Sequence, residues 1–194
     1  MSTVDPGVID AVGPLVDAAG GALLDAPVSG SVLAAGTGSL MIMVGGNEGT
    51  FRRAMPALSA LASEVVYVGE RGSGATMKLA VNALVYGING ALAEALVLAE
   101  RSGVGRAAAY DVFVRGAGGA PYVRYKRDAF VEPETTSVAS TLDIVSKDLD
   151  LITRLSARTG APIPQTEATR AIVERALGLS GRDLSVIAEF LRQS

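Results

Sequence analysis

The chain has 194 residues, a formal net charge of −3, and no His or Cys. Apolar residues make up 49% and charged residues 19%, which excludes disorder and leaves enough apolar material for a packed core. The acidic balance argues against a phosphate-driven nucleic-acid binder. The missing Cys and His exclude disulfides, thiolate metal sites, cysteine nucleophiles and an imidazole base.

The opening Ser2-Thr3-Val4-Asp5-Pro6 reads as a loop leading into a helix, because Pro suits the first helical turn. Val8, Val12, Leu15 and Val16 follow at helical spacing, and Gly20-Gly21 ends the run. Residues 22–28 predict a short buried strand with Pro27 near its end, and residues 39–44 a second apolar strand. Residues 48–61 predict a helix with Phe51, Met55, Leu58 and Leu61 on one face; residues 64–68 predict a third strand, closed by Gly69. Strand and helix alternate here as in α/β domains. The unit is shorter than a doubly wound sheet, and no G-x-G-x-x-G follows a strand.

Beyond Gly69 the pattern turns helical. Helices are predicted at 73–101, 106–115, 122–130, 142–159, 165–177 and 184–192, with Asp183 as the N-cap of the last. The boundary falls near Glu70-Arg71-Gly72, giving an α/β region at 1–70 and an all-α domain at 71–194. The most apolar stretch, 79–98, contains Asn82, Asn89 and Glu94. A membrane span tolerates such groups poorly, so this is expected to be a buried helix of a soluble, cytoplasmic protein that engages neither membrane nor nucleic acid. The first ten residues carry no basic n-region of a signal peptide.

Three constellations carry candidate chemistry. Gly72-Ser73-Gly74 opens a helix on which Lys78 and Asn82 share a face one turn apart. There are only 3 lysines against 14 arginines, and Lys alone of the two gives up a proton. An ammonium and an amide aimed from one face can hold and protonate an oxygen; a lysine that snorkels out of an amphipathic helix has the same spacing. The helix N-terminus near Ser73 and Gly74 is a candidate carboxylate site. In Asp25-Ala26-Pro27-Val28-Ser29-Gly30-Ser31 a strand runs into a Ser-Gly turn whose hydroxyl and N–H groups can converge on a carboxylate; an ordinary strand-end turn reads the same way. Lys147-Asp148-Leu149-Asp150-Leu151 lies on a helix with Ile144, Leu151 and Leu155 as its expected apolar stripe. In isolation it reads as a solvated charged face.

The order of these segments carries a resemblance. The string DAPVSGSVLAAGTGSLMIMVGG, with STVDP before it and GSGATMKLAVN, SKDLDL and GRDLSVIAEFL after it, resembles the β-hydroxyacid dehydrogenases of the 3-hydroxyisobutyrate dehydrogenase and 2-hydroxy-3-oxopropionate reductase type. The resemblance covers essentially the whole chain. It implies a partial Rossmann-type N-terminal region plus an all-α C-terminal domain. It implies hydride transfer between NAD or NADP and a small β-hydroxy acid or its semialdehyde, in a homodimer or higher homo-oligomer, with a small carboxylate as substrate and no metal. Position by position, Lys78 matches the catalytic lysine; Ser29, Gly30 and Asn82 match substrate-binding positions; Thr3 and Lys147 match cofactor contacts. Ser31 stands where the family usually has a second Gly, and Ser140 where it often has an aromatic. Imine reductases share the scaffold but commonly lack the lysine. The 6-phosphogluconate dehydrogenases share the Lys-to-Asn spacing but carry a His this chain lacks. Without the glycine-rich turn, the chain is expected to be a weak or inactive enzyme, from a misplaced start or a fragment; the alternative is a non-catalytic dimerisation or binding module.

Overall fold

A computed structural model describes residues 2–30 and 32–194; Ser31 lies outside the described residues. The chain divides into two units, residues 1–82 with 151–161, and residues 83–150 with 162–194. Neither unit is one continuous segment, because the chain returns to the first unit at residues 151–161.

In the first unit, α1 (Pro6–Ala18) is capped by Asp5, whose carboxylate accepts the Gly7 N–H. The apolar run expected at 22–28 is broken into β1 (Leu24–Asp25) and β2 (Val28–Ser29). Both pair antiparallel with β3 (Met41–Gly46) in one continuous register, Leu24 with Gly46 through Ser29 with Met41. Pro27 interrupts the ladder because it has no N–H to give, although its carbonyl still accepts the Met43 N–H at 3.0 Å. The short helix α2 (Val32–Gly36), which the sequence pattern did not suggest, fills the gap before β3. Ile42, Met43 and Val44 are buried, as expected of a strand paired on both sides and covered on both faces. α3 (Glu48–Ser59) begins at Asn47, whose side chain accepts the Thr50 N–H. It stops two residues short of the expected end, leaving Leu61 exposed. Phe51 and Leu58 pack on Ile42, Val44 and Ala62. β4 (Glu64–Gly69) runs parallel to β3 on its other side. The expected stripe on α1 is largely exposed: Val8, Val12 and Leu15 face solvent, and Pro6 and Gly13 are the helix's buried residues.

α4 (Ser73–Arg101) starts in the first unit and continues in the second. Its length and hydropathy would suit a membrane span, yet half of its most apolar window is buried within the fold. Ala75, Leu79, Asn82, Tyr86, Asn89, Ala93 and Leu96 form the buried stripe at the three-to-four spacing of a core helix. The second unit adds α5 (Arg106–Arg115), then α6 (Pro121–Tyr125) and α7 (Arg127–Val131), which split at Lys126 what reads in sequence as one helix. α8 (Leu142–Thr159) begins there and ends in the first unit. Its buried residues are Leu142, Val145, Leu149 and Ile152, whereas Ile144 is exposed; the apolar stripe is thus one position away from that expected. α9 (Pro164–Arg175) and α10 (Ile187–Gln193) flank two 3-10 turns, and Asp183 caps the second of them by accepting the Ser185 N–H.

Candidate functional site

The first unit holds Thr3, Ser29, Gly30, Lys78 and Asn82; Lys147 belongs to the second.

Ser29 ends β2 and is half-buried. Gly30 follows at φ +135°, and a Cβ there would meet the Ala34 Cβ and a Leu40 methyl, both at 2.8 Å. Only glycine fits that turn without strain, so the turn keeps an open backbone beside a hydroxyl. Lys78 is half-buried in the second turn of α4, and Asn82, one turn later, is 7% exposed. At about 100° per residue, both lie on the inward side of the helix. An open cleft of about 400 Å³, lined in part by Pro6, Asp10, Arg71, Thr76 and Ala80, runs along the opposite side.

One expectation is overturned. The α4 N-terminus near Ser73 and Gly74 is not an open carboxylate site, because Asp25 occupies it. The Asp25 carboxylate accepts the Gly72 N–H at 2.9 Å and the Ala75 N–H at 2.8 Å. The Ser73 N–H goes to the Glu70 carbonyl at 3.0 Å. An anion already bound there repels a second one. The sequence held a signal for this: an Asp inside an apolar strand is a buried charge and must find partners.

Thr3 is half-buried and lies two residues ahead of Asp5. Asp5 fixes that loop. It accepts from Gly7 at 2.8 Å and from Arg158, at the end of α8, at 2.9 Å. The Arg158 guanidinium, helped by the Gly7 N–H, holds the Asp5 carboxyl below the usual carboxylate range.

In the second unit Lys147 is half-exposed, with its ammonium 2.7 Å from the buried Asp148 carboxylate. Asp148 also accepts the Tyr86 hydroxyl at 2.7 Å. Burial and then the Asp148 charge push that hydroxyl far above its ordinary range, so Tyr86 stays a donor. The segment is therefore an anchored cation rather than the solvated charged face its sequence suggested. Sequence reasoning missed Tyr86, whose partner is distant in the chain. Thr3 and Lys147 offer a hydroxyl and an exposed ammonium, donor types that fit the amide and phosphate oxygens of a dinucleotide.

Residues 72–191 match the family described as NAD-binding of NADP-dependent 3-hydroxyisobutyrate dehydrogenase, and residues 1–69 the NAD binding domain of 6-phosphogluconate dehydrogenase. The whole chain is 32% identical to 65% of a 2-(hydroxymethyl)glutarate dehydrogenase from Eubacterium barkeri. It is 31% identical to 68% of glyoxylate/succinic semialdehyde reductase 1 from Arabidopsis thaliana. Among solved structures, 3-hydroxyisobutyrate dehydrogenase from Mycobacterium tuberculosis, determined with L-serine, superposes on 98% of this chain and 68% of its own. Its TM-score is 0.87 at 30% identity. A 3-hydroxyisobutyrate dehydrogenase from Salmonella typhimurium superposes with a TM-score of 0.89 at 29% identity, over 97% of this chain and 67% of its own. The chain thus spans about two thirds of the length of the relatives it matches.

Proposed function

The chain belongs to the 3-hydroxyisobutyrate dehydrogenase family of β-hydroxyacid dehydrogenases, and on that premise we propose that it serves NAD(P)-dependent oxidoreduction of a small β-hydroxy acid or its semialdehyde. The observation that carries the reading is Lys78 and the buried Asn82, one turn apart on the inward side of α4, in the same unit as the Ser29-Gly30 turn.

When bound, the nicotinamide supplies or accepts the hydride. The Ser29 hydroxyl and the Gly30 amide hold the substrate carboxylate, a task the α4 N-terminus does not share. Asn82 holds the reacting oxygen. In reduction the Lys78 Nζ gives a proton to the carbonyl oxygen as the hydride reaches its carbon; in oxidation it takes that proton from the hydroxyl. Thr3 and Lys147 serve as cofactor contacts, with Asp148 and Tyr86 holding the Lys147 ammonium in place. The protein works in the cytoplasm as a homodimer or higher oligomer; the exposed Leu84, Leu98 and Val112 of the second unit support the oligomer.

Steady-state kinetics with NAD(P)H and small semialdehyde acids, on this chain joined to a dinucleotide-binding half that carries a G-x-G-x-x-G turn, test this. Lys78→Ala is expected to lower kcat by roughly 10²-fold or more. Lys78→Arg is expected to restore little, because Arg keeps its proton. Full turnover in Lys78→Ala would overturn the reading.

A further inference from the structure

We propose that Asp25 is the positioning residue of this site: its buried carboxylate ties the strand leading to Ser29 and Gly30 to the first turn of the helix that carries Lys78. The inference rests on the function proposed above and adds a residue to it.

Asp25 is 5% exposed. An ordinary helix cap comes from the residue just before the helix; here the two acceptor oxygens come from 47 and 50 residues away in the chain. No cation among the described residues forms an ion pair with Asp25. Its charge is met by two N–H groups and the positive end of α4. Two glycines make the joint possible. A Cβ on Gly45 would lie 2.6 Å from the Asp25 Oδ1 and 2.7 Å from the Gly74 nitrogen. A Cβ on Gly74 would lie 2.4 Å from the Asp25 carbonyl oxygen. β1, β3 and α4 therefore meet backbone to backbone around one carboxylate.

From that joint the two halves of the site diverge by short, stiff paths. Lys78 is three residues beyond Ala75, on the same helical face. Ser29 is four residues beyond Asp25, in the same register along β3. Moving Asp25 shifts the carboxylate-binding turn relative to the ammonium without touching either. Asparagine keeps the shape but offers one acceptor oxygen and an NH₂ that faces an N–H donor.

The test uses the full chain labelled with [¹³C]lysine, whose 3 lysines give three resolvable side-chain signals. In Asp25→Asn the Lys78 signal is expected to move while those of Lys126 and Lys147 stay, and the dissociation constant for 3-hydroxyisobutyrate, followed by titration, is expected to rise at least tenfold. Gly45→Ala, which keeps the carboxylate but crowds it, is expected to move the same signal. An unmoved Lys78 signal in a folded Asp25→Asn chain overturns the proposal. So does unfolding of both Asp25→Asn and Asp25→Ser by circular dichroism, since the role is then structural alone. If the unsubstituted chain binds no 3-hydroxyisobutyrate, the functional reading fails, and the Lys78 signal alone decides whether Asp25 positions it.

Discussion

Asp183 gathers polar partners from three stretches of the second unit. It accepts the Lys126 ammonium at 2.7 Å on both oxygens, the Ala139 N–H at 3.0 Å and the Ser185 N–H at 3.0 Å. Lys126 is 3% exposed. Breaking a buried pair leaves the other charge without compensation, at a cost of about 3–5 kcal/mol. Asp183→Ala is therefore expected to lower unfolding stability in urea by about that much, and far more than loss of the exposed Arg52–Glu48 pair, worth about 0.3–0.5 kcal/mol. The pH dependence follows. Burial works to raise the Asp183 carboxyl, but Lys126 and the backbone donors outweigh it and hold the group below its ordinary range. A carboxyl lowered in the folded state stabilises above its unfolded value, near pH ~3.9, and that contribution is lost as pH falls through the folded value. Asp5 adds to it in the same direction. Urea midpoints measured as pH falls below about 4 should decline, and the decline should be shallower in Asp183→Asn.

At the scale of elements, α4 carries the most apolar stretch of the chain and yet has an inside and an outside. Leu96 is fully buried and Leu98 is 70% exposed, two residues apart. Leu96→Ala is expected to cost about 2–5 kcal/mol through lost burial and the cavity left behind. Leu98→Ala should stay within about 0.5 kcal/mol in the isolated subunit. Chemical denaturation of the pair reads the difference directly. The first turn of α4 offers a contest between two effects. Gly74→Ala gains about 1 kcal/mol of helix propensity. Its methyl, however, would collide with two backbone oxygens, of Asp25 at 2.4 Å and of Met43 at 2.9 Å. Backbone gives way less readily than a side-chain end, and overpacking costs about 1–3 kcal/mol. The expected sign is destabilisation, the reverse of what propensity alone predicts.

For the whole molecule, Leu84, Leu98 and Val112 leave apolar surface exposed on the second unit. The oligomer proposed above would cover such surface, so multi-angle light scattering at micromolar concentration is expected to give a dimer or larger species; a clean monomer would count against the oligomer. Dinucleotide affinity belongs to the same scale. The pyrophosphate of a dinucleotide is held mainly by a G-x-G-x-x-G turn at a helix N-terminus, and this polypeptide has no such turn. Calorimetry on it is expected to show NAD(P)H binding weaker than low micromolar; tighter binding would show that Thr3, Lys147 and their neighbours suffice.

Patterns with a local cause were legible in the sequence. The helices after residue 72 announced themselves by period and by Gly, Pro and Asp183 at their ends, because helical hydrogen bonds and caps are made between near neighbours. Lys78 and Asn82 could be placed on one face of one helix for the same reason. The resemblance, carried by five segments in order, pointed to the family before any contact was known. What depended on distant partners was not legible. Pro27 breaks a strand whose register is set by β3, and Ile144 turns outward because Val145 and Leu149 have the better claim on the core. The α4 N-terminus looked like a carboxylate site because its free N–H groups are a local property. That Asp25 fills them is settled only when a residue 47 positions earlier folds back onto Gly72. The charged run at Lys147 looked solvated until Tyr86 was found on Asp148. Sequence shows which groups need partners; which partners they take depends on a fold that brings distant backbone within about 3 Å.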